Sequence, residues 1–245
     1  KLNNAIPPFT MLSLEDKPHN HFLRSQLYAK KNLNQKEIPF KKGKKLFENR
    51  RLRIGYFSAD FQNHATMYLI SKIFEKFNKK NFEVYIYSFG KSLDSDEIRK
   101  KLKVSVDVFR DVIDLDEKNI ALLSRQDEID IAIDLKGYTR NSRPKIFAYR
   151  AAPIQINFLG YPGTMGSNYF DYIIADENLI PETSREFYSE KPIYMPNQYQ
   201  VQNDELKVSE IIPSKKELGL PEKSFIFCGI NNTYKISPVV FNVWM

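Results

Sequence analysis

Arg53-Ile-Gly-Tyr-Phe-Ser-Ala-Asp-Phe-Gln-Asn-His-Ala-Thr66 is the stretch on which the reading of the fold turns. Ile54 to Phe57 is a short apolar run with the aromatic content of a buried strand. The chain turns polar at Ser58-Ala-Asp60. From Ala65 onward Met67, Ile70, Ile73, Phe74 and Phe77 recur at spacings of three and four, which is one face of a helix. Strand, loop and helix in that order put the loop at the carboxyl end of the first strand of an α/β unit, where open parallel sheets hold their ligands. His64 ends this loop and is the only histidine beyond residue 21. It admits two readings: a proton acceptor, since imidazoles exchange protons near neutral pH, or a solvated residue at a helix start.

Working outward, strand patterns recur at Leu52–Phe57, Phe82–Phe89, Val106–Asp111, Ile129–Leu135, Ile154–Leu159 and Tyr172–Ala175. Helical patterns lie between them at Thr66–Asn78, Ser95–Lys103 and Lys118–Gln126. This alternation predicts βαβ units, a doubly wound, Rossmann-like parallel sheet over 51–200. Before it, residues 1–50 read as a leader. Ile6-Pro-Pro-Phe-Thr-Met-Leu12 needs something to pack on, a helix runs from Pro18 to about Lys31, and Asn32 to Asn49 is linker. After it, residues 201–245 begin a second α/β domain, with a buried strand at Phe225–Ile230 and a helix opening at Ser237-Pro238. The reading expects further chain on both sides of these 245 residues.

Composition excludes several classes. An apolar content of 42% supports a sizeable core. A single cysteine, Cys228, rules out an intrachain disulfide and a multi-cysteine zinc site and suits a reducing, cytoplasmic compartment. No run of about 18 apolar residues exists, so no membrane span is expected. Residues 1–50 carry 11 Lys/Arg against 4 Asp/Glu, whereas residues 51–245 carry 26 of each, so the whole +7 charge lies in the leader. It includes Lys41-Lys-Gly-Lys-Lys45, read as a solvated connector rather than a nucleic-acid surface. His19 and His21, two apart, do not share a helix face and make no metal site. No G-x-G-x-x-G follows the first strand and no P-loop occurs, which disfavours a nicotinamide dehydrogenase and an NTPase. Asp94-Ser-Asp96 has the letters of a metal motif but reads as helix N-capping.

Two more loops leave predicted strands on the same rim as His64. Asp134-Leu-Lys-Gly-Tyr-Thr-Arg140 offers a tight turn at Gly137 and donors at Thr139 and Arg140. Leu159-Gly-Tyr-Pro-Gly-Thr-Met-Gly166 has three glycines and a proline, which let backbone N–H groups approach an anion or a sugar hydroxyl; simple turn chemistry accounts for it equally.

Taken together, the blocks resemble glycosyltransferase family 41, the O-linked N-acetylglucosamine transferases and SPINDLY-like proteins. The resemblance is carried by Gly55-Tyr-x-Ser-x-Asp-Phe-x-Asn-His64, Gly137-Tyr-Thr139, Ala152-Pro-Ile-Gln155 and Leu159-Gly-Tyr-Pro-Gly-Thr164. It continues through Asp171-Tyr-Ile-Ile-x-Asp176, Tyr188-Ser-Glu-Lys191, Tyr194-Met-Pro196 and Tyr234-Lys-Ile-x-Pro238. Residues 5–30 resemble the segment that joins the family's tetratricopeptide repeats to its catalytic region. The resemblance implies two Rossmann-like domains facing a cleft and an inverting, metal-free transfer from UDP-GlcNAc or a related UDP-sugar to Ser or Thr of protein acceptors. It implies no cofactor, no nucleic acid and no membrane partner. His64 takes the place of the family's proposed proton acceptor, Lys235 that of the lysine on the nucleotide diphosphate, and Asn232 stands where many members have glutamine. Tyr138, Thr139, Gly160, Tyr161, Pro162, Gly163 and Thr164 fall in the substrate-binding loops. By the same resemblance the 245 residues alone are expected to be inactive, and the competing reading is a non-catalytic, binding-only member of the family.

Overall fold

A computed structural model describes residues 6–34, 38–39, 50–91, 93, 95–205, 209–230 and 232–245. The basic run Lys41–Lys45, most of the linker, Asp94 and Asn231 lie outside the described residues. The chain divides into two compact units, residues 1–203 and 204–245.

Among the described residues, the first unit is a seven-stranded, wholly parallel sheet in the order β3-β2-β1-β4-β5-β6-β7. The strands are β1 (Leu52–Ser58), β2 (Phe82–Ser88), β3 (Val108–Asp111), β4 (Ile131–Asp134), β5 (Ile154–Asn157), β6 (Tyr172–Ala175) and β7 (Lys191–Tyr194). The helices are α1 (Pro8–Met11), α2 (Pro18–Asn32), α3 (Ala65–Lys76), α4 (Glu97–Ser105), α5 (Glu117–Gln126) and α6 (Lys145–Ala148).

Side chains alternate across β1 and feed two cores. Ile54 and Tyr56 point to the side where Met67, Ile70 and Phe74 of α3 and Leu102 of α4 pack. Phe57 points to the other, with Ile120 and Ala121 of α5 and Ile146 to Ala148 of α6. Both faces of the sheet are covered, as parallel sheets require. Met67, Ile70 and Phe74 are fully buried, each worth about 1.5–3 kcal/mol of transfer free energy. The helical spacing read from Met67 onward is therefore the seam of α3.

Two local expectations need correction. β7 was not anticipated: Lys191-Pro-Ile-Tyr194 is short, contains proline and sits at the sheet edge, where a missing N–H is tolerated. Phe225–Ile230, expected as a buried strand, is unpaired, and Phe225, Phe227 and Ile230 are 80%, 90% and 97% exposed. The second unit holds no other strand among the described residues, so that apolar run has no ladder to join. The helix expected at Ser237-Pro238 does form, as α7 (Pro238–Trp244), with the Ser237 hydroxyl accepting from the Val240 N–H. The leader helix forms where it is expected, as α2, and packs on the first unit. Ala29 and Leu33 enter the core beneath α5 and α6, and Tyr28 stacks edge-on against Tyr138 at 4.9 Å.

Candidate active site

The strand order reverses between β1 and β4, each neighbouring the other while their chain neighbours lie outward on opposite sides. This is the topological switch point, and in open α/β sheets the crevice outside the carboxyl ends there is where ligands bind. The loops 58–64, 135–140 and 159–166 leave β1, β4 and β5, which are adjacent in the sheet. The structure thus brings the three loops singled out in the sequence onto one rim.

The first loop is held rigidly. Asp60 N–H donates to the Ser58 hydroxyl, Phe61 is fully buried, and Asn63 N–H donates to Asp96, which also caps α4 through Arg99 N–H. His64 is the N-cap of α3, with φ −148° and ψ 151°. Its Nδ1 accepts from the Thr66 N–H at 3.1 Å. A backbone N–H can only donate, so this contact uses the Nδ1 lone pair; the Thr66 hydroxyl lies 3.1 Å from the same nitrogen, donating to it when the ring proton is on Nε2 and accepting from it when the proton is on Nδ1. Nε2 has no hydrogen bond among the described residues, and the side chain is 43% exposed.

Behind the ring lies a charge pair that sequence reasoning did not find. Lys136 Nζ, from the β4 loop, donates to Asp60 Oδ2 at 2.7 Å, with both side chains less than a tenth exposed. Thr66 Oγ1 donates to the same oxygen at 3.3 Å, and His64 Nδ1 stands 3.5 Å from it. The turn that aims Lys136 is set by Asp134, whose carboxylate accepts from the N–H groups of Lys136 and Gly137. Burial pushes the Asp134 carboxyl up to about 7 against those two bonds. A lysine between Leu135 and Gly137 was the available signal, but nothing in its spacing tells a buried partner from solvent.

The other residues expected here divide by burial. Tyr138 and Tyr161 are core residues: the Tyr138 hydroxyl donates to Met165 O at 2.6 Å, and the two rings meet at 5.5 Å. Thr139 Oγ1 donates to Lys136 O, closing its own turn. Gly160 is required by space, since a Cβ there would lie 2.1 Å from the Leu135 carbonyl oxygen. Gly163 abuts the Tyr161 ring, and Pro162 O accepts from the Tyr188 hydroxyl. Thr164 is buried and donates to Glu190, which also accepts from Met165 N–H. Burial raises the Glu190 carboxyl to about 7. These side chains build the rim, and what they leave open to a ligand is mainly backbone, His64, the half-buried Thr139 and the exposed Arg140. Lys235 and Asn232 are exposed and belong to the second unit, in and before the short 3-10 turn Thr233–Lys235. Among the described residues no group of three or more His, Cys, Asp or Glu could hold a metal ion, and no helix is long and apolar enough to cross a membrane.

Comparison with known proteins gives this rim a context. The profile of Glycosyl transferase family 41 matches residues 24–207. A probable UDP-N-acetylglucosamine–peptide N-acetylglucosaminyltransferase SEC of Arabidopsis thaliana is 38% identical over 200 residues, covering 80% of this chain and 20% of that protein. The UDP-N-acetylglucosamine–peptide N-acetylglucosaminyltransferase of Caenorhabditis elegans is 34% identical over 194 residues, 78% of this chain and 16% of the relative. Among solved structures, a K341M mutant of the Thermobaculum terrenum O-GlcNAc transferase superposes with a TM-score of 0.73 at 28% identity, over 79% of this chain and 37% of its own. The chain thus spans about a fifth of the length of these curated relatives.

Proposed function

Because the chain belongs to glycosyl transferase family 41, we propose that it supplies the first Rossmann-like half of the catalytic region of a protein O-glycosyltransferase. In this reading the donor is UDP-GlcNAc or a related UDP-sugar, and the acceptors are Ser and Thr hydroxyls of proteins, in the cytoplasm. The observation that carries it is the convergence of three family-motif loops at the switch point of the sheet, with His64 on the open side of the rim.

The transfer is read as inverting and independent of a metal. The acceptor oxygen forms its bond to the anomeric carbon as the bond to the diphosphate breaks, and the hydroxyl proton is lost to a base. Charge grows on the departing diphosphate, which asks for cations and N–H donors. Lys235 is assigned to that diphosphate and Asn232 to the nucleotide by their motif positions alone, and the glycine-rich 160–163 backbone to the donor sugar. With Nδ1 taken by the helix cap, His64 fits an orienting hydrogen bond from Nε2–H to a substrate oxygen better than proton acceptance.

The test is transfer of labelled GlcNAc by the whole protein that contains this chain, with steady-state kinetics on His64→Asn and Lys235→Ala. Asparagine is itself a good N-cap, so His64→Asn keeps the melt while turnover drops by on the order of 10²-fold, the cost of a misplaced substrate. Lys235→Ala raises the donor KM as well as lowering kcat, because the diphosphate is charged before and during transfer. Near-normal kinetics in both variants with intact melts would overturn the site assignment. The 245-residue chain alone is expected to turn over little or no donor.

A further inference from the structure

We infer that Lys136 sets the tautomer of His64: by neutralising Asp60, it leaves the imidazole proton on Nε2, so that the ring faces the rim as a hydrogen-bond donor. The inference deepens the proposed function and rests on it only for what the donor meets; the tautomer itself is independent of turnover.

Asp60 Oδ2 is the pivot. Its carboxylate is buried, and a buried charge must be matched by an opposite one. Two nitrogens are within reach: Lys136 Nζ at 2.7 Å and His64 Nδ1 at 3.5 Å. Asp134 binds the Lys136 and Gly137 backbone N–H groups instead, and the ammonium makes its ion pair with Asp60. Those same bonds fix the Lys136 backbone so that its side chain runs back across the switch point to the β1 loop. Lys136 therefore takes the short contact, and Nδ1 needs no proton for Asp60. It is free to accept from Thr66 N–H and cap α3.

Without the ammonium the balance reverses. The only other N–H that reaches Asp60 Oδ2 from this loop is the one made by placing the ring proton on Nδ1. One proton leaves Nε2 and one arrives on Nδ1 through solvent. The α3 cap bond breaks, and Nε2 then shows a lone pair, the arrangement in which a carboxylate holds an imidazole as a base. Lys136 is thus a positioning residue. It acts through Asp60, and its presence separates donor chemistry at His64 from base chemistry.

The experiment is a two-bond ¹H–¹⁵N correlation spectrum of the ¹⁵N-histidine-labelled chain, above the pH where imidazoles are charged. The chain has three histidines, and His64 is assigned by its absence in His64→Asn. The wild type and Lys136→Arg are expected to show His64 protonated on Nε2. In Lys136→Met the proton moves to Nδ1. In Asp60→Asn combined with Lys136→Met it returns to Nε2, because no anion remains to draw it. Should Lys136→Met fail to fold, Lys136→Gln, uncharged and of similar length, takes its place with the same expected move, and Nδ1–H or an even mixture in the wild type or the double variant overturns the inference. An unchanged spectrum in a folded Lys136→Met does the same. If the tautomer moves as expected while the whole enzyme carrying Lys136→Met keeps normal turnover, the inference stands and the placing of His64 in the active site falls.

Discussion

His64 does two things with one ring: it closes the first turn of α3 through Nδ1 and leaves Nε2 facing the rim. The histidine was legible in the sequence because it is isolated and ends a strand-loop-helix segment. Its neighbours were not. Asp60 and Lys136 are 76 residues apart, and only the crossover from β1 to β4 makes them touch. Removing either partner leaves an uncompensated buried charge, so Lys136→Met and Asp60→Leu should each destabilise the first unit by about 3–5 kcal/mol. Replacing both with apolar residues of similar volume, Asp60→Leu with Lys136→Met, should recover most of that loss. Urea unfolding of the four proteins checks it, and purely additive losses would mean that the two charges do not compensate each other.

At the scale of elements, the rim loops are built from the inside and braced from the leader. Tyr28 of α2 meets Tyr138, Tyr138 meets Tyr161, and Tyr161 meets Phe9 at the end of α1. This row ties the β4 and β5 loops to the leader helices, and no periodicity could announce it because each contact is long-range. By contrast, α3 and the first six strands carried their own signals: an apolar residue at every third or fourth position in the helix, and short apolar runs in strands whose two faces are both covered. The strand expected at 225–230 failed for the complementary reason: an apolar run states that burial is wanted, and a ladder must still be available. Gly166 is where loop and leader meet most closely. Its φ is +62°, and a Cβ there would lie 2.4 Å from Gln26 N and from the Ser25 carbonyl carbon, backbone atoms that cannot swing aside. Gly166→Ala should therefore lift α2 from the rim at a cost of about 2–4 kcal/mol. Hydrogen exchange would rise across residues 18–33 and 159–166 while α3 stays protected, and unchanged protection in α2 would show that the leader is not braced through this contact.

Over the whole first unit, two buried carboxyls tie stability to pH in a direction opposite to that of most acidic groups. Glu83, Asp96 and Asp176 are held below their ordinary values by arginines or backbone N–H groups, so their contributions are present above about pH 4 and lost in acid. Asp134 and Glu190 go the other way, because desolvation outweighs the bonds they accept and raises both to about 7. Below about pH 4 the folded and unfolded chains both hold these two protons and nothing is at stake. As pH rises from about 4 to about 7 the unfolded chain releases them and the folded chain keeps them, so stability falls with pH over that window and then levels off. For Glu190 the displacement from 4.5 to about 7 corresponds to on the order of 3 kcal/mol. Glu190→Gln isolates it. Glutamine has one acceptor oxygen where the glutamate accepts from both Thr164 and Met165, so the variant loses a hydrogen bond at every pH, and that offset is constant. The slope is the readout. The unfolding free energy of the wild type minus that of Glu190→Gln, from denaturant titrations, should fall by on the order of 3 kcal/mol between about pH 4 and pH 7. A difference flat across that window would mean that Glu190 is already ionised in the fold and that its burial is compensated by its donors alone.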